Sequence, residues 1–186
     1  MSAGVPDPRR FRDTIGLFAT GVAVIVVRTG EEAQAMTVNA VSSLSLDPML
    51  LLFCPGKHTR MAQHLPGLQS FTLNVLRHDQ QALSTYFAGS WKEATPPPFR
   101  LVPCGTGLRL EGSLACLGCT TERVIEAGDH WIVIGRVTEM HTGIPPHKPL
   151  LFFSGKYRAV DFSESAPAPD LTDVHDEPAH IFYHHD

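Results

Sequence analysis

The sequence predicts a mainly β domain, a closed antiparallel barrel with a few short helices. Three observations lead there. Most apolar runs are short, β-branched and bounded by turn residues, the mark of strands. Only two or three segments space their apolar residues like a helix. No Gly-x-Gly-x-x-Gly follows a strand, so neither a dinucleotide fingerprint nor a doubly wound sheet is indicated. At 186 residues with 43% hydrophobic content, the chain can fill one core, burying roughly 70% of the surface its unfolded form exposes.

Phe11, Ile15 and Phe18 recur at helical spacing after Pro8, predicting a short amphipathic helix over 10–20 that stops at Gly21. A continuous β-branched run at 22–28 is a buried strand. Thr29-Gly30-Glu31-Glu32 turns the chain into a second extended stretch, 34–46, and Asp47-Pro48 breaks it. Residues 49–54 make a third strand, ended by Pro55-Gly56, and 59–65 a short helix. Residues 71–76 read as strand. Asp79 is a suitable N-cap for a helix that turns Leu83, Tyr86 and Phe87 inward and stops at Gly89. Three consecutive prolines, Pro103 and two glycines make 90–107 an irregular excursion. Strands are expected again near 114–126 and 131–140, joined at Ala127-Gly128-Asp129, with a last strand at 150–160. The composition then turns to Ser, Ala, Pro, Asp and His, which divides the chain into a barrel domain, 1–162, and a polar, His-rich tail, 163–186.

Fifteen Lys and Arg against nineteen Asp and Glu give a net charge of −4, with no basic run suited to a nucleic-acid backbone. No apolar run approaches the ~20 residues that cross a bilayer, and the first residues lack the pattern of a secretory signal. A cytoplasmic protein with neither nucleic acid nor membrane as partner is expected. The four cysteines, 54, 104, 116 and 119, are accordingly read as reduced thiols. Cys116 and Cys119 have zinc-like spacing, but without a second pair, and on a strand they point to opposite faces. No metal site is expected.

The most informative segment is Ala35 to Pro48. Thr37, Asn39, Ser43 and Ser45 share one parity along an extended chain, making one face unusually polar. That face is either the solvated exterior of a sheet or a wall that hydrogen-bonds a planar polar ligand. Lys57-His58-Thr59-Arg60 sets cations and a hydroxyl around a helix start, a combination that suits a phosphate. His130 stands where a turn meets a strand, beside Trp131.

The ordered set Phe18-Ala19-Thr20-Gly21-Val22, Met36-Thr37-Val38-Asn39-Ala40, Ser45-Leu46-Asp47-Pro48, Phe71 to Leu76, Leu83-Ser84 with Phe87-Ala88-Gly89, Gly128-Asp129-His130 and Gly155-Lys156-Tyr157 resembles the short-chain flavin reductases. These are FMN-binding split barrels, the reductase components of two-component flavin-dependent monooxygenases. The likeness runs roughly from Phe11 to Val160. It implies a split-barrel homodimer with flavin near the subunit interface, reduced by hydride from NADH or NADPH and passed to a partner monooxygenase. By this resemblance Thr37, Val38, Asn39 and Ala40 line the isoalloxazine of FMN or FAD, and Ser42 and Ser43 help hold it. Cys54, Lys57, Thr59 and Arg60 surround the ribityl phosphate, and the Ala88-Gly89 backbone closes the pocket. His130 contacts the nicotinamide nucleotide, as do Gly155, Lys156, Tyr157 and Arg158. Two other functions are compatible with the same sequence: a split barrel that binds flavin without turnover, and a ferric reductase working through free reduced flavin.

Overall fold

The computed structural model describes residues 7–30 and 32–161; the tail expected at 163–186 lies outside the described residues. Its elements are α1 (Pro8–Ile15), β1 (Thr20–Gly21), β2 (Ala23–Thr29), β3 (Glu32–Val38), β4 (Val41–Leu46), β5 (Met49–Phe53), β6 (Ser70–Val75), α2 (Gln81–Phe87), β7 (Leu101–Cys104), β8 (Gly107–Leu110), β9 (Ala115–Ala127), β10 (His130–Thr142), β11 (Leu150–Phe153) and β12 (Lys156–Ala159). Two 3-10 turns, Arg60–His64 and His78–Gln80, complete the set.

Seven strands form one sheet in the order β3-β2-β6-β9-β10-β5-β4, every pair antiparallel. Its two end strands are consecutive in the chain, separated by Asn39 and Ala40 alone. Three residue steps span at most ~11 Å, so the sheet must curl until its ends meet. The expected barrel therefore forms, but β3 and β4 share no ladder, and its wall is split at that seam.

The continuous apolar run in β2 follows from burial on both faces. Ala23, Ile25 and Val27 point into the barrel with Phe53, Phe71, Leu73 and Val133. Val22, Val24 and Val26 point outward, where α2, β8 and β11 cover them with Leu83, Leu110 and Leu150. Between these layers Asn74 is fully buried. Its amide donates to Val24 O at 3.1 Å and to Thr72 Oγ1 at 3.0 Å, while its Oδ1 accepts from Leu110 N at 2.8 Å. Such a group is tolerated inside because each polar atom has a partner.

Several expected boundaries move, each for a local reason. The first helix ends at Ile15, capped by Gly16, because Ser154 N reaches Gly16 O at 2.7 Å and Thr20 and Gly21 pair with β11 as strand. Asp79 does not cap α2: Arg77 holds its carboxylate at 2.9 and 2.7 Å, and Gln80 Oε1 accepts from Arg77 N instead. The irregular excursion ends near Arg100, since β7 and β8 pair as a small hairpin in spite of Pro103. The last strand is two strands, β11 and β12, folded at Ser154-Gly155, both with positive φ. The stretch 34–46 is likewise two strands.

Candidate functional site

The break at Asn39-Ala40 changes the reading of the polar face. Thr37 belongs to β3, Ser43 and Ser45 to β4, and a register shift between Ser43 and Ser45 interrupts the alternation again. The shared parity expected for these four residues does not hold. What replaces it is a polar corner on the seam, with Ala40 O accepting from Cys54 N at 3.0 Å. Burial raises the Cys54 thiol above its ordinary range, so it stays protonated at neutral pH.

From Cys54 the chain enters the basic loop. Gly56 bridges His130, Lys57 N donates to Asp129 O at 2.9 Å, and Trp131 N donates to Pro55 O at 2.9 Å. These backbone contacts bring together the seam, the basic loop and the β9–β10 hairpin, that is Ala40, Cys54, Lys57 and His130. Lys57 Nζ pairs with Glu126 and lies 5.4 Å from the centre of the Trp131 ring. His130 Nδ1 is 2.7 Å from Asp129 Oδ1. The hydrogen bond from His130 and its charge hold the Asp129 carboxyl below the usual carboxylate range. With Nδ1 engaged, Nε2 is the ring atom left for a ligand.

Thr59 Oγ1 donates to Gly56 O at 2.7 Å, and the helix expected after it is a five-residue 3-10 turn. Its dipole adds little to an anion site, which leaves the charges of Lys57 and Arg60. Arg60 has no ion-pair partner among the described residues.

A second group of expected residues meets on the outer side of β3. Thr37 Oγ1 donates to Ser84 O at 2.7 Å, and Ser84 Oγ lies 2.9 Å from Tyr157 OH. Ser84, fully buried on α2, thereby joins the seam strand to β12. Ala88 and Gly89 end that helix, with Gly89 at φ 73°. Gly155 sits in the β11–β12 turn; Lys156 and Arg158 are exposed, Arg158 donating to Tyr157 O at 3.3 Å. Among the described residues, hydrogen bonds do not link Lys156 or Arg158 to the His130 group.

A cleft of about 290 Å³ opens at the seam, with an apolar floor from Leu73 and Val75 and with Phe18, Thr20, Asn39 and Val41 around it. Thr20 Oγ1 is buried and has no hydrogen-bond partner among the described residues. Of the expected site residues only Asn39 lines this cleft; Phe18 to Val22, which also line it, carried a motif in the sequence but no assigned role. A larger cleft of about 520 Å³, near Arg28, His64, Gln69 and Thr106, holds none of the expected residues.

Residues 15–161 match the family model described as a flavin reductase like domain. The chain is 34% identical over 183 residues to the reductase subunit HsaB of a flavin-dependent monooxygenase from Rhodococcus jostii, covering 94% of this chain and 89% of that one. It is 34% identical over 159 residues to the NADH-dependent FMN reductase AsuE2 of Streptomyces nodosus, covering 83% and 86%. Among solved structures, the flavin reductase PheA2 superposes with a TM-score of 0.78 at 36% identity, covering 84% of this chain and 99% of that one. The family model spans most of the sequence, and the seam, basic loop and Gly-Asp-His turn all fall inside it. The chain belongs to the flavin reductase family of split barrels.

Proposed function

We propose that the chain is a cytoplasmic, homodimeric NADH:flavin oxidoreductase that reduces FMN or FAD along the Thr37–Ser43 seam and releases it to a partner monooxygenase. The observation that carries this reading is the bridge from Gly56 to His130, which sets a histidine and a lysine beside the seam corner on backbone contacts alone.

The residues fit such cofactors. A planar polar ring needs an apolar floor and a few directed polar atoms, and the seam cleft offers Leu73 and Val75 with Asn39 beside them. An anionic arm needs positive charge, which Lys57 and Arg60 supply from the adjoining loop. When both cofactors are bound they supply the redox chemistry, hydride passing from nicotinamide to flavin.

The protein's task is then to stack and orient. Thr37, fixed by Ser84, keeps the seam strand in place on its outer side, where Tyr157 is bonded to the same serine. Val38, Asn39 and Ala40 would line the ring, Ser42 and Ser43 would help hold it, and Cys54, Lys57, Thr59 and Arg60 would surround the phosphate. Ala88 and Gly89 close the pocket. His130, its Nδ1 on Asp129, would offer Nε2 to the nicotinamide nucleotide and orient it without a proton-transfer step, and Gly155, Lys156, Tyr157 and Arg158 are the further candidates for contact with that nucleotide.

A second subunit is favoured by the β4–β5 hairpin, which exposes Val41, Leu44, Leu46 and Met49 directly beside the serines of the seam. An apolar patch continuous with a polar site is the surface a partner copy would cover.

The test is NADH oxidation by the purified chain with FMN, with FAD and with no flavin. Oxidation that needs added flavin supports the reading; flavin binding with no oxidation of NADH or NADPH overturns it in favour of a binding protein.

A further inference from the structure

Cys104 closes β7 and Cys116 lies near the start of β9, with their sulfurs 3.8 Å apart. Both are buried, Cys116 at 1% and Cys104 at 9% exposure, and the Cys104 thiol donates toward Oε2 of the exposed Glu139 at 3.6 Å. The Glu139 carboxylate lies on the β7–β8 turn: a Cβ built on Gly105 would stand 2.9 Å from its Cδ. With Cys104 donating to Glu139, the Cys116 thiol donates to Cys104, giving a directed chain from the interior thiol to a surface carboxylate.

Cys119 stands apart. It packs in the barrel interior, and its thiol turns to Leu117 O at 3.9 Å. Burial, with the nearness of Cys104 adding to it, pushes the Cys116 and Cys119 thiols up to about 12; Arg109 and Thr72 draw Cys116 back only in part. Cys104, the less shielded of the pair and the one whose thiol donates to a carboxylate, is the sulfur placed to react first.

We propose that Cys104 and Cys116 are a peroxide-oxidisable dithiol that closes to an intramolecular disulfide and ties the β7–β8 hairpin to β9. In the first step the Cys104 sulfur attacks a peroxide oxygen and the O–O bond breaks. The thiol proton passes by Glu139 to the leaving oxygen, giving Cys104 sulfenic acid and water. In the second, the Cys116 sulfur displaces that hydroxyl; the S–S bond forms, and the hydroxyl leaves with the Cys116 proton as a second water. Two thiols lose two electrons and one hydrogen peroxide becomes two waters. Bond formation at ~2.0 Å asks the sulfurs to approach by ~1.8 Å from their 3.8 Å separation. Hydrogen peroxide is also the product when dioxygen oxidises free reduced flavin. On the proposed function, a reductase with no acceptor at hand would generate its own oxidant. The hairpin so tethered carries Leu101, Leu108 and Leu110 into the outer core, against the cluster that includes Phe87 and Tyr157.

The test treats the full chain with hydrogen peroxide, with neither flavin nor NADH present, so its outcome is independent of the reductase reading. Expected is the loss of two hydrogens from the intact mass, reversed by dithiothreitol, and a peptide link between Cys104 and Cys116 whose fragments exclude Cys119. Glu139→Gln should slow link formation by at least about tenfold, and Cys116→Ala should leave a sulfenic acid on Cys104 that dimedone traps. The link in the unaltered chain decides the matter if the variant does not fold. A link through Cys119 or Cys54, a link between chains, sulfinic acid at Cys104 without a link, or no reaction overturns the proposal.

Discussion

Gly56 and His130 pair as an isolated antiparallel bridge, flanked on both sides by backbone hydrogen bonds from Lys57 to Asp129 and from Trp131 to Pro55. The basic loop and the histidine are thus held in register by main chain, and side-chain changes on either can be read without moving the other. Gly56 also admits His58, whose Cε1 would lie 2.8 Å from a Cβ at that position.

Lys57 cannot serve an anion and Glu126 equally, because the two side chains are already paired. Lys57→Ala should weaken flavin binding by about tenfold through loss of a charge-assisted contact. Glu126→Gln, which frees the ammonium group, should tighten it by about threefold, the scale of an exposed ion pair. Titration of flavin fluorescence reads both. Changes of the same sign would remove Lys57 from the phosphate site.

Asn74 holds β2, β6 and β8 together through atoms fully shielded from water. Asn74→Ala leaves Leu110 N and Val24 O in the core without that partner and should cost about 3 kcal/mol in urea unfolding. A loss below about 1 kcal/mol would mean that water or a neighbouring strand replaces the amide.

Gly135 faces Phe71: an added Cβ would fall 2.4 Å from the ring Cζ and 3.0 Å from Cys119 Cβ. Gly135→Ala should destabilise by about 2 kcal/mol through overpacking. Phe71→Leu in the same chain should return part of that loss, visible as non-additivity in a double-mutant cycle. Additive losses would contradict a steric origin.

The Arg77 hydrogen bonds and charge keep the Asp79 carboxyl below its ordinary range. A group whose folded pKa is depressed adds stability above its unfolded pKa, near 3.9, and loses it as pH falls through the folded value. Both side chains are more than a third exposed, at 41% and 49%, so screening limits the pair to about 0.5 kcal/mol. The melting temperature of the unaltered chain should exceed that of Asp79→Asn by a constant amount above about pH 5, and the gap should close below about pH 4. A gap that widens in acid would reverse the sign.

Strand content was legible in the sequence because apolar alternation and turn residues are local signals, and the two buried faces of β2 account for its unbroken apolar run. The seam was not. Nothing local separates Val38 from Val41, and the split follows from where β3 and β4 end up at opposite ends of the sheet order. The resemblance pointed to His130, Lys57 and the segment Thr37 to Ala40, and the first two lie on one clamp. Ser84, read as part of a helix motif, proves to join Thr37 to Tyr157, and the Cys104–Cys116 pair was invisible because it depends on the packing of a hairpin read as loop. Phe18 to Ala23 line the seam cleft because Thr20 and Gly21 leave the helix to pair with β11.

The most direct test of the central claim is steady-state NADH oxidation, with flavin and NADH varied separately, by the unaltered chain and by His130→Ala. The account predicts oxidation that depends on added flavin. It further predicts a rise of about tenfold in the KM for NADH in the variant, with flavin affinity within twofold of the unaltered chain. Flavin binding without NADH oxidation by the unaltered chain, or NADH kinetics indifferent to the loss of His130, would contradict it.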